Sequence, residues 1–288
     1  MGIGTKDLCD FPMFAFFNSL HFIESGLIML LTMPALQTDS DSMLESSSSL
    51  PVSGCQPHRL WSDSADIGNF LNISLSENSS INKSRFQHLM FKHGQRIFRL
   101  GQPFDALYFV YSGFLKTVMF DEFGSEQVLN FPMRGDVLGL ESMHSDEYKF
   151  EVVALSDCNV IVVPYKKLLE LSHKYEQVEQ SMYEMISKEL AYQHVRLSML
   201  GKISAEARVC QFLVMLSNRF LELGYSRCEY LLRMTRQEIG NYLGITLETV
   251  SRILSSLNES GIVKVHQKRI CINDIEALKN MSLTVKAI

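Results

Sequence analysis

Residues 234–254, MTRQEIGNYLGITLETVSRIL, place the tightest constraint on how this chain folds. Thr235 is a helix-capping residue, and Glu238 follows three positions later, as in a capping box. Gly244 interrupts the helical pattern, and Thr246 is suited to cap a second helix. The apolar residues that can pack between the two helices are Ile239, Leu243, Ile245, Val250, Ile253, Leu254 and Leu257. The segment therefore predicts a helix-turn-helix.

The second helix is predicted from about 247 to 259, and polar residues near its start are suited to reading bases in a major groove. Arg252 can pair with guanine, Glu248 can accept from cytosine N4, and Ser251 can reach either kind of base. The positions predicted to contact the DNA backbone or support the reading helix are Thr235, Arg236, Thr246, Thr249, Lys264, Lys268 and Arg269. The alternative is an ordinary helix hairpin with a solvated polar face.

Local charge favours the DNA-binding interpretation. Residues 233–269 contain six Lys or Arg and three Glu, a difference of +3, whereas the whole chain of 288 residues carries a net charge of −5. Two β-branched runs, at 261–266 and 269–272, predict a hairpin wing whose basic residues touch phosphates. Such contacts position a protein on DNA without specifying a sequence.

The chain offers no pattern typical of an enzyme or a metal site. We find no paired carboxylates, Gly-rich phosphate loop or nucleophile motif, and the histidines are scattered. No two cysteines have the close spacing of a common zinc or iron–sulfur site. They are expected to be reduced thiols: Cys9, Cys55, Cys158, Cys210, Cys228 and Cys271. A small-ligand-binding module with an incidental helix hairpin remains a second functional class.

The first part of the chain differs from the rest. Residues 11–36 are apolar, but Glu24 divides them into stretches shorter than the ~20 residues of a spanning helix. No export signal is evident, so we expect no membrane segment, with a membrane-tethered regulator as the alternative. The polar, Ser-rich stretch at 37–53 is typical of a disordered linker.

From residue 85 to about 165, short β-branched and aromatic runs alternate with glycine turns. Several such strands at regular spacing predict a sandwich or barrel, whose interior holds either a packed core or a ligand. The runs are 96–98, 107–111, 115–120, 127–131, 150–155 and 159–163.

A long helix is predicted from 176 to 202, because neither Pro nor Gly occurs there before Gly201. Mostly apolar residues recur in it at alternating spacings of three and four, which is typical of a coiled-coil dimer seam. The seam residues are Tyr183, Ile186, Leu190, Gln193, Leu197 and Leu200. The alternative is a helix packed on its own domain.

With these features in place, residues from about 85 to 280 resemble the CRP/FNR family, the cyclic-AMP receptor protein and the fumarate and nitrate reduction regulator. Residues 234–252 are most similar to the second branch, and Glu248-x-x-Ser251-Arg252 matches its base-reading triplet. The resemblance implies an α+β chain: a largely disordered extension (1–84), a β-roll sensor domain or cupin-like jelly roll (85–170), a dimerisation helix (176–202) and a winged helix-turn-helix (203–280).

The resemblance also implies partners and a location. It implies a cytoplasmic homodimer that binds a palindromic site similar to TTGAT-N4-ATCAA in double-stranded DNA. It further implies contacts between the β-roll and RNA polymerase.

Two departures from the family bear on cofactors. The oxygen-sensing branch uses an N-terminal cysteine cluster and one β-roll cysteine, but here only Cys55 lies near the first region. Cys158 stands three residues before the family's β-roll position, at about Ile161. The cyclic-AMP branch uses a Gly-Glu turn followed by Arg-Ser, and no Arg-Ser pair follows Gly139. We therefore expect neither an iron–sulfur cluster nor cyclic AMP, and either another ligand or none.

Overall fold

The computed structural model describes residues 60–62, 86–202 and 204–283, with side chains described from 86 to 194, at 197 and from 204 to 283. The first strands are β1 (Leu60–Ser62), β2 (Phe86–Phe91), β3 (Arg96–Phe98), β4 (Ala106–Ser112), β5 (Leu115–Phe120), β6 (Glu126–Asn130), β7 (Val137–Leu138), β8 (Glu151–Ala154) and β9 (Cys158–Pro164). The later elements are α1 (Tyr165–Lys174), α2 (Glu176–Lys202), α3 (Ala205–Glu222), β10 (Glu229–Leu231), α4 (Arg236–Leu243), α5 (Leu247–Glu259), β11 (Val263–His266), β12 (Arg269–Ile272) and α6 (Ile275–Ser282).

The strands up to β9 form the β-roll that the sequence predicted. One sheet has the order β1–β2–β9–β4–β7 and the other has the order β3–β8–β5–β6, with antiparallel pairing. β1 pairs with β2, so Leu60–Ser62 joins the sheet although the sequence placed it in a largely disordered extension. The apolar run at 11–36 and the Ser-rich stretch at 37–53 lie outside the described residues.

β4 shows why its sequence is a continuous apolar run. Tyr108 and Val110 face the interior of the β-roll, whereas Leu107 and Phe109 face the opposite way. This second face packs against α1 and the beginning of α2. Because both faces of β4 are covered, the residues that point to either side are apolar, as in strands buried between two layers.

The long helix α2 has the predicted bounds, and α3 follows it with Ser204 as the N-cap. The Ser204 hydroxyl accepts a hydrogen bond from the Ala207 N–H, which satisfies one of the unpaired donors of the first turn. Within the described residues, we find no helix with the length and apolar content needed to cross a bilayer.

The C-terminal unit packs α3, α4 and α5 around one apolar core and closes it with the sheet β10–β12–β11. The predicted wing is the β11–β12 hairpin, and α4 and α5 are the predicted helix pair. The sequence reading missed β10, which pairs with β12, and α6, which packs on α3. β10 is three residues long, too short to leave a strand pattern in the sequence.

Candidate nucleic-acid interface

α5 spans Leu247–Glu259, the range predicted for the reading helix. Thr246 is its N-cap, and the Thr246 hydroxyl accepts a hydrogen bond from the Thr249 N–H at 3.2 Å. The apolar residues of α5 that are buried against the unit's core are Val250, Ile253, Leu254 and Leu257. Burial of this stripe turns the opposite, polar face of α5 outwards.

The predicted base-reading residues lie together on that outward face. Glu248 and Arg252 are exposed and one helical turn apart, and Ser251 is half-buried beside them. The Arg236 guanidinium, from α4, donates to the Ser251 hydroxyl at 3.4 Å. Arg236 therefore lies next to the predicted reading residues, at a position suited to contact with a phosphate.

The carboxylate of Glu248 sits at the positive end of α5. Hydrogen bonding from its own main-chain N–H and from the Thr246 hydroxyl holds the pKa of Glu248 below its usual range. The side chain is thus an ionised acceptor, as reading of a cytosine amino group requires.

α4 is held in place by caps at both ends. Thr235 and Glu238 form the predicted capping box: the Glu238 N–H donates to the Thr235 hydroxyl, and the Thr235 N–H donates to the Glu238 carboxylate at 2.7 Å. At the other end, Gly244 adopts a left-handed conformation with φ 65° and ends the helix. The Arg208 guanidinium donates to the main-chain carbonyl of Leu243, the last residue of α4, at 2.9 Å.

Two residues important for this geometry were missed from the sequence. Gly240 is buried inside α4, where the turn before α5 approaches closely, and Arg208 reaches the end of α4 from another helix. A glycine within a helical pattern is a signal of close approach that could have identified Gly240. Nothing local in the sequence connects Arg208 with a helix end 35 residues away.

The wing places its basic side chains on the surface. Lys264, Lys268 and Arg269 are all exposed, on or between β11 and β12. Lys268 donates to the Arg233 carbonyl at 3.4 Å, and the Arg269 guanidinium pairs with Glu229 at 3.2 Å. An exposed pair of this kind contributes little to stability, so Arg269 can exchange its partner for a phosphate.

The predicted seam residues project from α2. The exposed fractions are 64% for Tyr183, 40% for Ile186, 56% for Leu190 and 64% for Leu197. Gln193 donates to Glu189 of the same helix at 2.6 Å, and the side chain of Leu200 lies outside the described residues. An apolar stripe this exposed on one helix is typical of a surface that another helix covers.

The interior of the β-roll is filled by aromatic side chains. Tyr148 is fully buried, its ring stacks on Phe98 with centroids 4.0 Å apart, and Phe104 and Tyr108 lie against it. The Tyr148 hydroxyl donates to the Ala106 carbonyl at 2.7 Å. Of the two interpretations left open by the sequence, the structure supports a packed core.

The described cysteines do not form a cluster. Cys158 is buried in the β-roll interior, where burial raises the pKa of its thiol to about 12, and Cys210 is buried in the core of the C-terminal unit. Across residues 86–202 and 204–283, no three His, Cys, Asp or Glu side chains are grouped so that they could bind a metal ion. Cys9 and Cys55 lie outside the described residues.

Comparison with known proteins agrees with this architecture. Residues 88–175 match the model of the cyclic nucleotide-binding domain, and residues 207–281 match that of the Crp-like helix-turn-helix domain. The chain is 36% identical over 190 residues to the transcriptional regulatory protein btr of Bordetella pertussis, covering 66% of this chain and 78% of that protein.

Two further proteins are similar to this chain. It is 35% identical over 189 residues to the fumarate and nitrate reduction regulatory protein of Escherichia coli, covering 66% of this chain and 76% of that one. The structure of FixK2 from Bradyrhizobium japonicum superimposes with a TM-score of 0.64 at 28% identity, covering 69% of this chain and 98% of FixK2.

Proposed function

Because this chain belongs to the CRP/FNR family of DNA-binding transcription regulators, we propose that it acts as a homodimer on a palindromic site similar to TTGAT-N4-ATCAA. One observation carries the proposal: Glu248, Ser251 and Arg252 lie together on the outward face of α5. This is the face that a helix-turn-helix inserts into a major groove. We assign base reading to these three residues and backbone contact to Arg236, the threonine caps and the wing.

The apolar stripe of α2 supports the homodimer. Two copies of α2 packed along Ile186, Leu190 and Leu197 would cover side chains that are otherwise 40% to 64% exposed. A two-fold dimer presents two reading helices to two half-sites about one helical turn of DNA apart. This symmetry matches a palindromic target.

The residues of the β-roll do not fit a cyclic nucleotide. The fully buried Tyr148 ring fills the interior, and its hydroxyl is already used by the Ala106 carbonyl. No Arg-Ser pair follows Gly139 to hold a phosphate. We propose that cyclic AMP is not the effector.

The described residues also do not fit an iron–sulfur cluster. A cluster needs several cysteine thiolates close together, but Cys158 is packed singly in the interior of the β-roll, and no three possible ligand side chains are grouped in the part of the chain that the structure describes. We propose that DNA binding does not depend on such a cluster.

The remaining assignments follow from the family. We propose that the protein is a regulator without enzymatic activity, that it works in the cytoplasm where bacterial DNA lies, and that it contacts RNA polymerase through the β-roll.

A gel-shift titration tests the proposed function. Purified full-length protein is titrated onto a TTGAT-N4-ATCAA duplex and onto a scrambled duplex of the same composition, under air and under anoxia. We expect selective binding to the matched duplex in both atmospheres. Absence of binding in both atmospheres overturns the target assignment, whereas binding only under anoxia overturns the claim that the protein acts without a redox cofactor.

A further inference from the structure

Asn241, in the last turn of α4, is hydrogen-bonded to three consecutive residues of β6. Its side-chain amide donates to the Glu126 carbonyl, and its side-chain oxygen accepts from the Val128 N–H at 2.7 Å. The Gln127 side chain donates to the main-chain carbonyl of Asn241 at 2.9 Å. Residues 113 to 115 positions apart in the chain are thereby joined.

The two bonds to the β6 backbone resemble the pairing of a further strand. β6 is the edge strand of the sheet β3–β8–β5–β6, so among the described strands it has a neighbour on one side only. The amide of Asn241 meets the carbonyl of one residue and the N–H of the next but one, as a residue of a parallel neighbouring strand would. Both partners on β6 are main-chain groups, which a side-chain substitution on β6 leaves in place. A substitution at Asn241 is therefore needed to remove the two bonds.

Independent contacts hold α4 against the same part of the β-roll. The Lys116 ammonium, on β5, lies 2.6 Å from the Glu126 carboxylate and 3.1 Å from that of Glu238 on α4. Phe131 packs against Phe212 and Tyr242, with ring centroids 5.9 and 5.2 Å away. The arrangement of the C-terminal unit on the β-roll is therefore determined by directional bonds as well as by apolar packing.

The reading face stays open in this arrangement. Glu248 and Arg252 are exposed while Asn241 is bound to β6. α4 and α5 are also fixed to each other, because the Ile245 N–H donates to the Gly240 carbonyl at 2.9 Å and both helices share one core. A constraint on α4 is thus a constraint on the direction of α5.

From this geometry we propose that Asn241 is a positioning residue that sets the direction of the reading helix relative to the β-roll and α2. In the proposed homodimer, this direction determines the separation of the two reading helices, and so the spacer length that the protein accepts between half-sites. The inference rests on the proposed function, because it presupposes a dimer that binds a palindrome. Asn241 acts through α5 and does not itself touch a base.

The test compares spacer preference in full-length protein. Binding is measured by fluorescence anisotropy on duplexes with spacers N3, N4 and N5 between TTGAT and ATCAA. The variant Asn241→Asp keeps the size of the side chain but replaces the donor that meets the Glu126 carbonyl. Asn280→Asp, at an exposed residue of α6, is the matched control for the added charge. Gln127→Ala is a milder second variant. It removes the hydrogen bond that the exposed Gln127 side chain donates to the Asn241 carbonyl, and it leaves the sequence of α4 unchanged.

We expect the wild type and Asn280→Asp to prefer one spacer. In Asn241→Asp, the ratio of affinities for the preferred and the other spacers should be about five- to tenfold smaller, as loss of paired hydrogen bonds implies. Gln127→Ala should lose a smaller part, about twofold. Hydrogen exchange at the Val128 amide reports the docking directly and should accelerate in Asn241→Asp. In Asn241→Asp, the exchange rate of the Val128 amide and the spacer preference should therefore change together.

The outcomes separate this inference from the proposed function. Faster exchange at Val128 with an unchanged spacer preference overturns the positioning role. Tighter binding of Asn241→Asp to every duplex also overturns it, since docking would then oppose DNA binding. If Asn241→Asp does not fold, an unchanged preference in Gln127→Ala overturns it. Failure of the wild type to bind any of the duplexes overturns the proposed function, and the inference with it.

Discussion

Gly240 lies so close to Ile245 that a Cβ added at position 240 would stand 2.7 Å from the Ile245 carbonyl oxygen. The next backbone atoms, of Thr246 and Leu247, would be 3.3 and 3.4 Å away. Because these are main-chain atoms of the turn and of the start of α5, they cannot move aside as a flexible side chain would. The tight turn between the two helices therefore depends on a glycine inside α4.

Gly240→Ala should accordingly destabilise the protein, although alanine is the better helix former. We expect a loss of about 1–3 kcal/mol in the free energy of unfolding, because overpacking at the turn exceeds the gain of roughly 1 kcal/mol in helix propensity. Urea denaturation measures it. Gln237→Ala, at an exposed position of the same helix, should change the stability by less than about 0.5 kcal/mol. Equal or higher stability of Gly240→Ala would show that the turn has room for a methyl group.

Arg252→Ala should weaken base discrimination, because alanine cannot make the bidentate contact with guanine that we propose for Arg252. We expect the preference for the matched over the scrambled duplex to fall by about 1–3 kcal/mol. Lys264→Ala, on the exposed wing, should instead weaken binding to both duplexes alike. Competition titrations with the two duplexes distinguish these effects. An unchanged preference in Arg252→Ala would remove Arg252 from the reading residues.

Glu238→Gln should change how the free energy of unfolding depends on pH, compared with the wild type. Burial opposes ionisation of Glu238, but hydrogen bonds from Thr235 and the ion pair with Lys116 hold its pKa below the ordinary value of 4.5. Folding therefore favours the carboxylate, and this contribution is complete above pH 4.5 and is lost as the pH falls through the lower folded-state pKa. Glutamine keeps the capping box but gives up the charge.

At pH 7 we expect Glu238→Gln to be about 1–2 kcal/mol less stable than the wild type, with the difference shrinking in acid. Thermal unfolding followed from pH 7 down to pH 3 measures it. Glu276→Gln removes one partner of an exposed pair on α6 and should have almost no effect at any pH. A difference between Glu238→Gln and wild type that does not vary with pH would contradict the assigned ion pair.

Tyr148→Ala should destabilise the β-roll, because it opens a cavity among side chains that are fully buried. A loss of about 3–5 kcal/mol is expected for a large aromatic residue, and about 1 kcal/mol for Tyr148→Phe, which removes only the hydroxyl and its hydrogen bonds with Ala106 and Asp105. Guanidinium denaturation gives both values. Tyr225→Ala, at a residue that is 56% exposed, is the control. Wild-type stability in Tyr148→Ala would mean that the interior is not packed around this ring.

Leu190→Glu should convert the proposed homodimer to a monomer, because a charge would enter the apolar seam of α2. The mass from light scattering should fall by half, and affinity for the palindromic duplex should fall about 100-fold or more as the two half-sites are bound independently. Leu221→Glu changes a leucine of α3 with a similar exposed fraction, 52% against 56%, and should leave the mass unchanged. A dimeric Leu190→Glu protein would place the dimer interface elsewhere.

Some features could be predicted from neighbouring residues alone. The Thr235–Glu238 capping box, the Thr246 cap and the bounds of α2 and α5 depend on signals within three or four residues, so the sequence pattern contains all the information required. The faces of these helices also follow from local spacing. The predicted reading and seam residues are therefore on outward-facing surfaces in the structure, apart from Leu200, which lies outside the described side chains.

Other features depend on residues that are distant in the chain, and only folding brings them together. Arg208 caps α4 from 35 positions away, Tyr148 meets Ala106 across the β-roll, and Asn241 bonds to Val128 across 113 positions. A side-chain amide near a helix end has no sequence pattern that identifies the strand edge it will meet, because the edge presents main-chain groups common to every residue. The bounds and the outward face of α5, the proposed reading helix, were thus predictable from the sequence, whereas the long-range contacts that hold α4 against the β-roll became visible only in the tertiary structure.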